Sequence, residues 1–197
     1  MELRNRSPRG PHRAILPMLF PCLALAIGTC CDAQPWRAVE VFGTAGAMRG
    51  ASDEGSAGSA AAFGGAATIP FRERWAVDVQ ALTASLSNHP DFLLRRVLLS
   101  PGILYRRGNE RSRWFIAAGP GLQMDRSRGE FQVADSAGQP RTVAFSGSEN
   151  GLTLHWRTGA VFQPNAHLLV RAEFFWVNRH VLPTLGAAVS LGIRLGR

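Results

Sequence analysis

From Leu185 to Leu195 every second residue is apolar (Leu185, Ala187, Val189, Leu191, Ile193, Leu195), and Gly186, Ala188, Ser190, Gly192 and Arg194 lie between them. Successive side chains of a strand point to opposite faces, so this pattern predicts a strand with one oily face and one small or charged face. The rhythm recurs upstream. Leu168–Asn178 sets Leu168, Val170, Ala172, Phe174 and Trp176 against Arg171 and Glu173. Gly151–Phe162 sets Leu152, Leu154, Trp156, Ala160 and Phe162 against Thr153, His155, Arg157 and Gly159. Arg113–Asp125 sets Trp114, Ile116, Ala118, Leu122 and Met124 against Gly119, Gly121 and Gln123. Arg96–Arg107, Arg74–Leu82, Ala60–Phe71 and Trp36–Ala47 complete a set of eight, with Glu40 on the inner face of the first. An even number of roughly ten-residue alternating segments is the pattern of a barrel that crosses a bilayer. The expected fold is all-β: an eight-stranded antiparallel up-and-down transmembrane β-barrel.

The connections give a second test of this reading. Phe71–Arg74, Arg107–Ser112 and Gln163–Ala166 are short, whereas Met48–Ser59, Ser85–Leu94 and the polar Arg126–Asn150 are expected to be loops. Arg179–Pro183, on the long-loop side, is short as well. Tight turns at one rim and larger connections at the other match the asymmetry of such barrels. Phe71, Trp75, Tyr105, Trp114 and Phe162 all flank the short turns, which predicts an aromatic girdle at one membrane interface.

Alternation alone does not say which face is inside. An apolar interior would make a soluble, lipocalin-like barrel in the periplasm that holds an apolar ligand. The polar face argues for the opposite orientation. It is rich in Gly, Ala and Ser, as the narrow middle of an eight-stranded barrel requires. It also carries few but mixed charges at mid-strand: Glu40, Asp78, Arg96, Arg157, Arg171 and Glu173. These six are expected to form a lumen charge cluster that pairs internally, because an unpaired buried charge costs several kcal/mol. Such a cluster reads as a structural plug ahead of an ion path, within a polar lumen.

The N-terminus reads as an export signal. Arg4, Arg6, Arg9 and Arg13 precede the apolar Ala14–Gly28, and small residues at Cys31 and Ala33 suit cleavage before Gln34. The expected organisation is a signal peptide over 1–33 and a barrel domain over 34–197. Cys22, Cys30 and Cys31 all fall in the signal, which leaves the exported part without thiols. The basic residues are all arginine. Four of them leave with the signal, against Glu2 and Asp32, so the formal charge falls from +8 to +6. Export argues against nucleic acid and makes anionic lipid head groups the natural counter-charge.

Strand rhythm, together with the phrases Leu168-Leu-Val-Arg-Ala-Glu-Phe-Phe175 and Ala188-Val-Ser-Leu-Gly-Ile-Arg-Leu195, resembles the small porin-like or OmpA-like outer-membrane barrels of Gram-negative bacteria. The resemblance covers about Trp36 to Arg197. It implies an outer-membrane location, contact with membrane lipid and lipopolysaccharide, and delivery by the barrel-assembly machinery. The expected role is structural, adhesive or surface recognition through Arg126–Asn150, ahead of a narrow pore, without catalysis or cofactor. A monomer is favoured. The chain departs from the family in its single Tyr and in ending Leu195-Gly196-Arg197, where such barrels commonly end on an aromatic residue.

Catalytic motifs are scarce. His12, His89, His155, His167 and His180 show no metal-ligand spacing. His155, beside Arg157, is expected to be a satisfied interior polar group. A lipid-modifying enzyme would need a His–hydroxyl pair at the outer rim, and His180 with Thr184, or His89 with Ser87, are the residues available. Gly119-Pro120-Gly121 lacks the third glycine and following helix of a nucleotide loop.

Overall fold

The computed structural model describes residues 38–52, 55–89, 91–109, 111–134, 138–178 and 183–196. The proposed signal, its cysteines, His12 and His180 lie outside this set. Eight strands run β1 (Val39–Ser52), β2 (Gly55–Pro70), β3 (Trp75–His89), β4 (Phe92–Gly108), β5 (Ser112–Ala134), β6 (Pro140–Phe162), β7 (Leu168–Asn178) and β8 (Thr184–Leu195). Each pairs antiparallel with its sequence neighbour, and β1 pairs with β8 from Val39↔Leu195 to Arg49↔Leu185, closing the ring. Closure leaves no free edge across the apolar belt, as hydrocarbon demands of a spanning sheet.

The orientation is decided by side chains. Leu191, Phe174 and Trp156 are 63%, 63% and 47% exposed, whereas Arg157 and Glu173 are 1% and 5% exposed. The oily face is outside, which rules out the lipocalin-like alternative. Leu185 to Leu195 spans roughly 33 Å at about 3.3 Å per residue. A tilt of roughly 40° reduces this to about 25 Å, the height of an outer-membrane apolar band. Trp75, Tyr105 and Trp114 form a continuous aromatic arc at the short-turn end, with edge-on ring pairs at 5.0 and 5.8 Å.

Two expectations need correction. The segments Met48–Ser59, Ser85–Leu94 and Arg126–Asn150 are mostly strand. β5 and β6 stay in unbroken register from Ser112↔Phe162 to Ala134↔Pro140. Backbone hydrogen bonds extend this ribbon whatever the side chains are, and where both faces meet water the two-residue pattern disappears. The lumen, moreover, is not uniformly polar. Along the inward face of β4 lie Leu94, Arg96, Leu98, Ser100, Gly102, Leu104 and Arg106, and along β7 lie Leu169, Arg171, Glu173, Phe175 and Val177. Ion-pair layers therefore alternate with apolar ones. One apolar layer centres on Phe42, Leu104, Phe115 and Leu169, and another on Met48, Leu82, Leu98 and Phe175.

Inward glycines make room for these aromatics. A Cβ on Gly186 would lie 2.0 Å from the Phe175 ring and 2.6 Å from the Ala47 carbonyl oxygen. Gly186→Val is expected to destabilise the barrel by about 1–3 kcal/mol through overpacking, measured as a lower urea midpoint of unfolding. Gly43→Ala, whose nearest neighbour is 4.0 Å away, should leave that midpoint unchanged.

At the β4–β5 seam the register brings Pro101 opposite Pro120, and pairing lapses between Leu99↔Leu122 and Ile103↔Ala118. Neither proline has an N–H to donate there, while Val79↔Pro101 and Pro120↔Leu154 hold on their other sides.

Candidate functional site

The six residues of the expected lumen cluster all point inward and are buried, but they occupy three separate levels. The central level holds four of them. Asp78 on β3 accepts hydrogen bonds from Arg157 Nη2 of β6 at 2.5 Å and from Arg171 Nη1 of β7 at 3.0 Å. Arg171 also grips Glu173 Oε2 through Nε and Nη2, at 3.0 and 2.6 Å. Thr68 donates to Asp78 and Gln80 to Glu173. Two carboxylates meet two guanidinium groups, so this level is neutral. The Arg171 guanidinium stacks 4.3 Å from the Phe115 ring and 5.5 Å from that of Phe42, coupling the ion layer to the apolar layer beside it.

Arg96 belongs to a second level, toward the long-strand end. It forms a bidentate pair with Asp125 at 2.8 and 2.7 Å, and its Nη1 donates to Thr184 Oγ1 at 2.7 Å. Gln123 Nε2 donates to the same carboxylate at 2.8 Å. Glu40 makes the third level, at the short-turn end. A single oxygen, Oε1, receives Arg106 at 3.3 Å, Arg113 at 3.2 Å and Arg194 at 3.0 Å.

Sequence reading missed the acceptor Asp125 and the trio Arg106, Arg113 and Arg194 as cluster members. All four sit on the inward parity of their strands, which is the signal that could have found them. It could not show which levels the barrel's stagger would bring together. Thr184, offered as a rim hydroxyl for lipid chemistry, faces the lumen and serves Arg96. His180 lies outside the described residues, and Ser87 Oγ donates to the Phe92 carbonyl at 2.8 Å.

His155 is interior, over Gly102, Gly119 and Gly121, whose missing side chains admit its ring. Neither ring nitrogen has a hydrogen-bond partner among the described residues, so the group is not the satisfied one expected. Among the described residues no group of His, Cys, Asp and Glu is placed to hold a metal. The cavity between the Glu40 and Arg171 levels amounts to about 10 Å³, room for one water at most. These levels form a packed plug.

At the opposite end the β5–β6 ribbon continues past its neighbours. β6 pairs with β7 only from Leu154, so Pro140–Thr153 has no strand partner on that side among the described residues. The ribbon exposes Phe131, Val133 and Phe145, with Phe145 packed at 5.8 Å from Phe131 and 6.2 Å from Phe92.

No family model matches the chain, and no curated protein matches it. Solved structures do. Ail, the attachment invasion locus protein of Yersinia pestis, superposes with a TM-score of 0.58 at 13% identity, covering 82% of this chain and 100% of that one. Ail in complex with the heparin analogue sucrose octasulfate superposes at 0.55. Neisserial surface protein A matches at 0.56 and 13% identity, over 80% of this chain and 96% of that one. The N-terminal β-barrel domain of Pseudomonas aeruginosa OprF matches at 0.55 and 14%, over 82% and 100%. What is shared is the fold, that of the small eight-stranded outer-membrane β-barrels.

Proposed function

We propose that the protein is an integral outer-membrane barrel that carries a surface-recognition ribbon and works without catalysis. The observation that bears most on this is the contrast between its two parts. The lumen is filled by ion-pair and apolar layers, whereas β5 and β6 run on as a paired ribbon that presents aromatic side chains, and an edge of β6 that has no strand partner among the described residues. A free edge is a template for an added strand, and exposed aromatic rings supply contact area at small entropic cost. An attachment protein with the same barrel fold supports the adhesive sense of the reading.

The experiment displays the full chain on cells that otherwise do not adhere and measures their binding to host-cell or matrix-coated surfaces. Phe131→Ser with Phe145→Ser is expected to reduce adhesion severalfold at equal surface abundance. Equal adhesion by both strains, or none above that of bare cells, would refute the recognition role. The same preparation in planar bilayers should show no steady conductance steps, as a filled lumen requires.

A further inference from the structure

Outward arginines converge at one place on the barrel wall. Arg95 on β4 and Arg126 on β5 stand directly opposite each other, and Arg128 follows at the next outward position of β5, across from Leu93. All three are exposed, and none has an ion pair or side-chain hydrogen bond among the described residues. Like charges directly opposed on neighbouring strands destabilise the pairing. Glu130, the next outward residue of β5, and Asp91 across from it are the acids nearest in register, and three cations against two carboxylates leave the patch net positive.

Beside the three guanidinium groups lies an open groove of about 660 Å³ running across the outer face of β2 and β3. Thr83 and Ser85 keep its floor low, and Phe63 and Leu93 make its apolar walls. Its depth in the membrane follows from register. Two outward positions inward from Arg95 is Leu99, which pairs with Leu122, itself paired with Leu152. The arginines thus cap the apolar belt at the long-strand end, opposite the Trp75–Tyr105–Trp114 arc.

We propose that this groove binds the phosphorylated head group of a glycolipid of the outer leaflet, of the lipid A class. Arg95, Arg126 and Arg128 hold phosphate through charge-assisted hydrogen bonds, and an acyl chain lies against Phe63. The proposal rests on the outer-membrane reading above. A free anion would use the guanidinium groups and leave the apolar wall idle, whereas an anchored phosphate uses both. The site also relieves the Arg95–Arg126 repulsion that the fold otherwise bears.

The test refolds the full chain into phosphatidylcholine bilayers, confirms folding by heat-modifiable gel mobility, and titrates bis-phosphorylated lipid A, dephosphorylated lipid A, phosphatidylglycerol and inorganic phosphate. Wild type should bind lipid A about tenfold or more tightly than the dephosphorylated form. Arg95→Ala with Arg126→Ala should lose at least that factor. Arg72→Ala with Arg74→Ala, an equal loss of charge in the turn between β2 and β3 at the opposite rim, should change binding little. Equal binding by wild type and the double variant would overturn the site. Equal affinity for phosphatidylglycerol, or displacement by millimolar phosphate alone, would overturn its assignment to a glycolipid. A barrel that inserts but shows no selectivity refutes this site and leaves the outer-membrane reading standing. A chain that enters no bilayer refutes both.

Discussion

Asp78→Asn is expected to lower the unfolding free energy by about 3–5 kcal/mol, because it leaves a buried guanidinium without its counter-charge. Asp78 is fully buried and accepts from both Arg157 and Arg171. When it is neutralised, Glu173 alone faces two cations, and its contact with Arg157 is only 3.9 Å. The level changes from neutral to a net positive charge in a buried interior. The double variant Asp78→Leu with Arg157→Leu removes one charge of each sign and leaves Arg171 on Glu173. It should recover most of the loss, since apolar residues of similar volume replace a buried pair at little cost. Urea unfolding of the refolded barrel, followed by tryptophan fluorescence, measures both. A single variant as stable as wild type would mean that the central level is hydrated and does not act as a plug.

The second large effect concerns the outer wall. Leu191→Arg, near the middle of the outward row of β8, should cost about 2–4 kcal/mol in a bilayer, whereas Leu195→Arg at the rim should cost roughly 0–1. The difference between the two sites carries the information. A barrel bathed in water would tolerate both changes within about 0.5 kcal/mol, as exposed surface positions usually do. Equal small effects in bilayer and in solution would therefore refute the membrane orientation, whatever the fold.

The parts of this barrel legible in its sequence are those where one face meets lipid and the other does not. β6, β7 and β8 announce themselves through Leu154, Trp156, Phe174 and Leu191, and their inward charges follow by parity. Legibility stops where that contrast stops. The extension of β5 and β6 through Arg126–Asn150 is invisible because Ser146, Gly147 and Ser148 alternate with nothing. The inward Phe175, between the outward Phe174 and Trp176, breaks the alternation and hides the apolar layers of the lumen. The partition of the charges into three levels depends on the stagger of all eight strands, which no single strand encodes. The Arg95–Arg126 juxtaposition is likewise a property of register, set by two strands whose arginines stand 31 positions apart.

Glu40 and Arg194 lie opposite each other where the first strand meets the last, 154 residues apart along the chain. Arg106 and Arg113 converge on the same oxygen, so one carboxylate ties β1, β4, β5 and β8 together at the closing seam. A slip of one residue at that seam would turn Arg194 toward the hydrocarbon and leave the cations unanswered. The contact thus works as a latch that engages only when the cylinder has shut in the correct alignment.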